Sequence, residues 1–260
     1  MEHEVLYSRK ERRGAAWAEI TLNRPQKGNA LTLPMLDQLE SHIASISADH
    51  SIRAVVVRGS GRFFCTGGDI EAWGSLTPNE MGNIWILRGI EVLEKLASLP
   101  QPVIAAINGH AIGGGLELAL ACDLRLAVSA AKLGTPEVAL GMISGWTGVR
   151  RLAETIGIAR ARHITLLGEL FTAQQAFDWG LITAIADDAT GFEQQLDQWL
   201  DRLLSNAPIA MALTKGLLRP MHQEVRHAHA SAAAQAAATE DCKEGVRAFV
   251  EKRKPVFQNR

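Results

Sequence analysis

Asn108-Gly109-His110-Ala111-Ile112-Gly113-Gly114-Gly115-Leu116-Glu117-Leu118 decides how this 260-residue chain is read. Just before it, Pro102 to Ile107 reads as a buried strand, closed by Asn108-Gly109. Just after its glycines, Gly114 to Ala121 reads as a helix, so the glycines lie between a strand and a helix. Three consecutive glycines are costly in conformational entropy, and a plain turn needs one or two. Their backbone N–H groups can approach a ligand closely. About 45 residues upstream, Phe63-Phe64-Cys65-Thr66-Gly67-Gly68-Asp69-Ile70 has the same strand-to-helix character. One N–H from each segment could meet on a single oxygen and hold negative charge there. Asp69 also suits the N-cap of the following helix, so a plain turn stands beside the ligand-facing reading.

Glu117, one turn into the helix, sits among Leu116, Leu118, Ala119, Leu120 and Ala121. A carboxylate on so apolar a surface is costly to bury unpaired. Two readings follow: an ion pair, for example with Arg125, or an acid whose pKa is raised by desolvation. Thr135-Pro136-Glu137 reads as an N-cap, a proline at the first helical position and an acid in the first turn. A helix dipole would favour ionised Glu137, so burial would have to outweigh it for that residue to donate a proton.

Working outward, strands are expected at Ala16 to Leu22, Ala54 to Arg58, Leu124 to Val128 and Leu181 to Ile185. An amphipathic helix is expected at Leu33 to Ile46, and helices at about Pro78 to Ala97, Val149 to Thr155, Ala159 to Leu167 and Ala173 to Trp179. From Gly191 the chain reads as helical, including the alanine-rich stretch 231–238. Alternating strands and helices followed by helices alone predict an α/β core over 1–195 and a C-terminal helical region over 196–260. That region must pack on its own core or on a neighbouring subunit.

Composition excludes several classes. The net charge of −1 offers no general attraction for nucleic acid or an anionic membrane. No run of about 18 apolar residues marks a membrane span. The acidic, then charged, start lacks a signal-peptide core, and three scattered cysteines make no disulfide framework, so a cytoplasmic location is expected. His227 and His229 are two apart and would face different sides of a helix. There is no HExxH, GxSxG, Walker A or GxGxxG motif, and no metal site is expected.

Together the segments resemble the crotonase family, the enoyl-CoA hydratases and isomerases. Asn23-Arg24-Pro25 with Asn29-Ala30-Leu31 resembles the first CoA-contacting loop. The two glycine segments resemble the oxyanion segments, and Gly134-Thr135-Pro136-Glu137 with Leu140-Gly141 the second catalytic segment. Glu244-Gly245 through Phe249, Lys252 and Arg253 to Phe257 resembles the C-terminal signature. The resemblance implies a spiral of ββα units and a thioester carbonyl held between the N–H groups of Gly68 and Gly114. It further implies that Glu117 activates water and Glu137 serves the α-carbon. Asn29, Ala30, Asp69, Ile70, Trp146, Phe249 and Lys252 are implied in substrate binding. The substrate would be an acyl-CoA, with no cofactor beyond the coenzyme A it carries, and the assembly a homotrimer or a hexamer of paired trimers. Two retained carboxylates favour hydration over double-bond isomerisation. The same fold could also serve a C–C hydrolase or a non-catalytic binding protein. The chain departs from the family at Ser144, Trp146 and Glu71, where many relatives have proline, glycine and lysine. Trp73 and Trp85 fall in segments that border the acyl pocket, so Trp146 could shorten that pocket, stack on a ring or merely pack beneath its loop.

Overall fold

The computed structural model describes residues 3–12, 14–74, 76–218, 239–241, 244, 248 and 251–260. The alanine-rich stretch 231–238, His227, His229 and Phe249 lie outside them. Two sheets organise the chain. The larger has six strands: Val5–Arg12 (β1), Ala15–Leu22 (β2), Ile52–Gly59 (β3), Val103–Ile107 (β5), Leu124–Val128 (β7) and Ala184–Ala186 (β10), adjacent in that order. The smaller has Phe63–Cys65 (β4), His110–Ile112 (β6), Lys132–Gly134 (β8) and Leu170–Thr172 (β9). All neighbours are parallel except β1 with β2 and β8 with β9.

Three successive pairs build the spiral: β3 then β4, β5 then β6, β7 then β8. In each, the first strand joins the large sheet and the second joins the small one. Helices follow the pairs. Ile70–Trp73 (α2), Pro78–Glu80 (α3), a π-helical turn at Met81–Ile86 and Leu87–Ala97 (α4) come after β4. Gly114–Leu120 (α5) comes after β6. A 3₁₀ turn, Pro136–Leu140, precedes Gly148–Ile156 (α6) and Ile158–Leu167 (α7) after β8. Leu33–Ala48 (α1) bridges β2 and β3, capped by Thr32, whose hydroxyl accepts from the Met35 N–H. Ala173–Asp178 (α8) joins β9 to β10.

Alternation along the strands gives the large sheet two apolar faces. Ile20, Leu22, Val55, Val57, Ala105 and Ile107 join the main core with Leu36, Leu39, Leu93, Leu96 and Leu116. Trp17, Ala54, Val56, Ile104 and Ala106 face the other way, onto Phe192, Leu196, Leu200 and Leu204 of Ala189–Ser205 (α9). Those four side chains, spaced by four, stabilise the docking by roughly 1.5–3 kcal/mol each. The helical region therefore begins on its own chain's sheet, and a boundary at 195/196 would cut through α9. Pro208–Leu218 (α10) follows and buries no side chain.

Two expectations are corrected, and one strand was not anticipated. The last strand is Ala184–Ala186 rather than Leu181 to Ile185, because Leu181 and Ile182 turn into the main core. Thr135 makes no side-chain cap, and Glu137 lies in a five-residue 3₁₀ turn, which has little dipole to offer. The charged start forms strand β1. Its charges hid it: Lys10 pairs with Glu19, and Arg12 with Asp197 and Asp201, along an exposed sheet edge.

Candidate active site

The first glycine segment leaves β4 and is held by a single parallel bridge. The Leu31 N–H donates to the Gly67 carbonyl at 2.8 Å, and the Asp69 N–H to the Leu31 carbonyl at 2.8 Å. That bridge uses the groups on either side of Gly68. The Gly68 N–H points the other way and has no partner among the described residues. Gly67 has φ +106°, which an L side chain rarely adopts. Asp69 then caps α2, accepting from the Glu71 N–H at 2.9 Å, and it pairs with Arg24. Burial pushes the Asp69 pKa up, but Arg24 and the backbone donors outweigh it and hold the carboxyl below its ordinary value. Arg24 also reaches Glu4 at 3.1 Å and the Ala30 carbonyl at 3.2 Å.

The second segment turns at Gly113, with φ +56°, and its N–H donates to the Gly134 carbonyl of β8. Gly114 is the first residue of α5, so its N–H has no intrahelical acceptor. The two segments touch. A Cβ on Gly67 would stand 3.3 Å from the Gly114 nitrogen, and one on Gly115 would overlap the Cys65 carbonyl. The lack of side chains is what lets α5 close on the end of β4.

Glu117 is 2 % exposed. Its Oε1 accepts from the Trp146 N–H at 2.8 Å and the Gly148 N–H at 2.7 Å. Thr147, between those donors, has φ +70°, and this strained backbone aims both N–H groups at one oxygen. Burial pushes the Glu117 pKa up to about 7, the Gly148 N–H opposes it, and the charge of Glu137 adds to it. The expected alternative partner is engaged elsewhere: Arg125 donates to the carbonyls of Leu181 and Cys122.

Glu137 approaches from the 3₁₀ turn, its Oε1 3.0 Å from where a Gly113 Cβ would be. Its Oε2 is buried without a hydrogen-bond partner among the described residues, as is the Ser144 hydroxyl. Burial raises its pKa. The nearby Ser144 hydroxyl opposes that shift without making a well-formed bond.

Gly68, Gly114, Glu117 and Glu137 line one small cavity of about 50 Å³. Trp73, Trp85, Ile86 and Trp146 wall it, with Met142, Ile143 and Gly145 from the loop before α6. This brings together the four central residues expected from sequence, and Trp146 with them.

Other expected contacts are placed differently. Asn29 is buried with its side chain spent inside the protein: Oδ1 accepts from the Arg24 N–H, and Nδ2 donates to the carbonyls of Ser60 and Phe63. Asp69 is spent as a cap and ion pair. Both shape the loop instead of offering side chains to a ligand. Ala30 is half-buried beside them, and Ile70 is 55 % exposed at the start of α2. Lys252 is exposed in a turn and does not line the cavity. The residues after it bind their own chain: Arg53, near the start of β3, donates to the Phe257 carbonyl at 2.6 Å. Sequence reading missed Gly148 as a Glu117 anchor, Ile86 as a wall, and the Arg24–Asp69 pair. The glycine after Trp146-Thr147 was the one available signal.

A spiral of β-β-α units that delivers two glycine loops, one buried carboxyl and one partly buried carboxyl to one cavity defines an enzyme of the crotonase fold. The enoyl-CoA hydratase/isomerase family matches residues 12–260, and the chain belongs to that family. It is 36 % identical over 245 residues to a probable enoyl-CoA hydratase of Bacillus subtilis, covering 93 % of this chain and 95 % of that one. It is 35 % identical to a short-chain-enoyl-CoA hydratase of Clostridium acetobutylicum, covering 94 % and 95 % of the two chains. The crystal structure of an enoyl-CoA hydratase from Bacillus anthracis superposes with a TM-score of 0.92 at 31 % identity, covering 99 % of this chain and 100 % of that chain.

Proposed function

We propose that the chain hydrates the 2,3 double bond of an acyl-CoA thioester. The observation that carries this reading is that two glycine N–H groups without a partner among the described residues and two carboxyls with raised pKa values line one small cavity. Gly68 and Gly114 would hold the thioester oxygen, on which enolate charge develops as water adds at the β-carbon. Glu117, fixed through Oε1, would present Oε2 to that water and take its proton. Glu137 would deliver a proton to the α-carbon. One proton shared by the pair serves both directions. It sits on Glu137 when water is added and on Glu117 when water is removed.

The coenzyme A moiety arrives with the substrate, and no separate cofactor is invoked. A cytoplasmic setting and a homotrimer or paired trimers belong to the same proposal. Buried free thiols at Cys65 and Cys122 fit a reducing compartment. α10, which buries no side chain and leaves Leu218 exposed, offers a surface for assembly. No helix among the described residues is long and apolar enough to cross a membrane.

The test is turnover of crotonyl-CoA by the wild type, Glu117→Gln and Glu137→Gln, beside turnover of a 3-enoyl-CoA. Hydration that needs both carboxyls supports the reading. A Glu117→Gln enzyme that still moves the double bond of the 3-enoyl substrate, while wild type adds no water, would make the chain an isomerase.

A further inference from the structure

We propose that Trp146 is the residue that limits the acyl group, so that the enzyme selects four-carbon 2-enoyl thioesters over long ones. This rests on the hydratase reading above and concerns the same cavity.

The indole of Trp146 is fixed from several sides. Its Nε1 donates to the Trp85 carbonyl at 3.3 Å, and the two indoles lie with ring centroids 5.5 Å apart. One side of the Trp146 ring meets Gly89 of α4, where any Cβ would overlap it. The six-membered edge of the ring meets Gly114, whose Cβ would stand 2.7 Å from Cζ3. The indole thus occupies a slot that two glycines leave open, one of them an oxyanion glycine. Trp85 closes on the other oxyanion glycine: a Cβ at Gly68 would stand 2.7 Å from its Cζ2.

The aromatic wall therefore begins where the thioester carbonyl would rest. Within it, the cavity measures about 50 Å³. On the same scale a single water needs roughly 10–15 Å³, so the cavity holds only a few small groups, such as a water and the short tail of an acyl chain. A longer acyl chain running towards Trp146 requires that ring to leave its slot, which breaks its hydrogen bond to Trp85 and exposes 2 %-exposed indole surface. On that side exclusion is steep, because added methylenes meet a packed ring.

The experiment measures kcat/KM for 2-enoyl-CoAs of four, six, eight and ten carbons with wild type, Trp146→Phe and Trp146→Ala. Dissociation constants for butyryl-CoA and octanoyl-CoA, which do not react, are measured on the same proteins. Wild type is expected to favour the four-carbon substrate over the eight-carbon one by about 100-fold. Trp146→Ala is expected to raise the eight-to-four ratio by at least about 10-fold, with Trp146→Phe in between. The dissociation constants should shift in the same order. A wild type that hydrates four to ten carbons alike, or binds octanoyl-CoA as well as butyryl-CoA, overturns the proposal without any variant. An unchanged ratio in a folded Trp146→Ala protein also overturns it. If wild type hydrates no enoyl-CoA of any length, the function itself is wrong and the selectivity proposal falls with it.

Discussion

Glu117 and Glu137 face one cavity from differently built supports. Glu117 stands on α5, inside the main core, with one carboxylate oxygen bound to two backbone N–H groups. Glu137 stands on a 3₁₀ turn whose own residues are not buried, and its inner oxygen is bound to nothing among the described residues. The same side chain thus becomes two different instruments. One carboxyl is oriented, as an acid or base aimed at a water must be. The other is desolvated, with one oxygen left unbonded among the described residues, as suits a group that exchanges a proton with carbon. Both pKa values rise by burial, so the division of roles comes from hydrogen bonding and rigidity.

The largest effect that tests this contrast is on turnover. Glu117→Gln and Glu137→Gln should each lower kcat for hydration by about 10²- to 10⁴-fold, and the double variant should lose little more than the worse single one. Additive losses would break the picture of a pair sharing one proton.

Next comes the anchor. A Cβ at position 148 would overlap the Glu117 side chain, so Gly148→Ala should lower kcat by about 10- to 100-fold, as misplacement of a catalytic group does. The fold should survive, because the clash is with a side chain. Unchanged kcat would show that the anchored geometry is not needed.

A smaller effect concerns titration. The charge of Glu137 helps raise Glu117 to about 7, so Glu137→Gln should lower the Glu117 pKa, as read by carboxyl carbon chemical shifts. An upward movement would contradict the electrostatic coupling.

The smallest is on stability, and its sign is fixed by linkage. A carboxyl raised from 4.5 to about 7 on folding binds its proton more tightly in the folded chain. Stability therefore falls as pH rises from about 4.5 through about 7, and the penalty is complete above that. At about 1.4 kcal/mol for each tenfold change in proton affinity, wild type should lose on the order of 3 kcal/mol relative to Glu117→Gln across that range. Denaturant unfolding of both proteins at pH 5 and pH 8 measures it, and parallel curves would mean Glu117 is not desolvated.

Much of this contrast is beyond local sequence. Glu117 was marked by its apolar neighbours, because a lone carboxylate on a buried helix face needs a reason. Its two partners, Trp146 and Gly148, are about 30 residues away, and no periodicity joins them to α5. Thr135-Pro136-Glu137 carries a helix-start signature, yet the chain makes only a 3₁₀ turn and leaves the Thr135 hydroxyl buried and unbonded among the described residues. Asn29 and Asp69 belong to the loop the sequence points to, but their side chains bond to the protein itself, since the same polar side chain can bind a ligand or the backbone. Hydrogen-bond partners settle which. β1 was missed because an edge strand of charged residues has no apolar alternation to display.

Residue order by itself determined the alternating strands and helices, the two glycine segments and the acid behind the second. Those depend on backbone freedom and apolar spacing, which act over a few residues. Tertiary structure decided that Gly67 meets Gly114, that the Glu117 carboxylate is held by a loop from beyond β8, and that Trp146 fills the slot beside an oxyanion glycine. Those are close approaches between segments distant along the chain. They are set by how the two sheets stack their β-β-α units, and no short stretch of sequence contains that information.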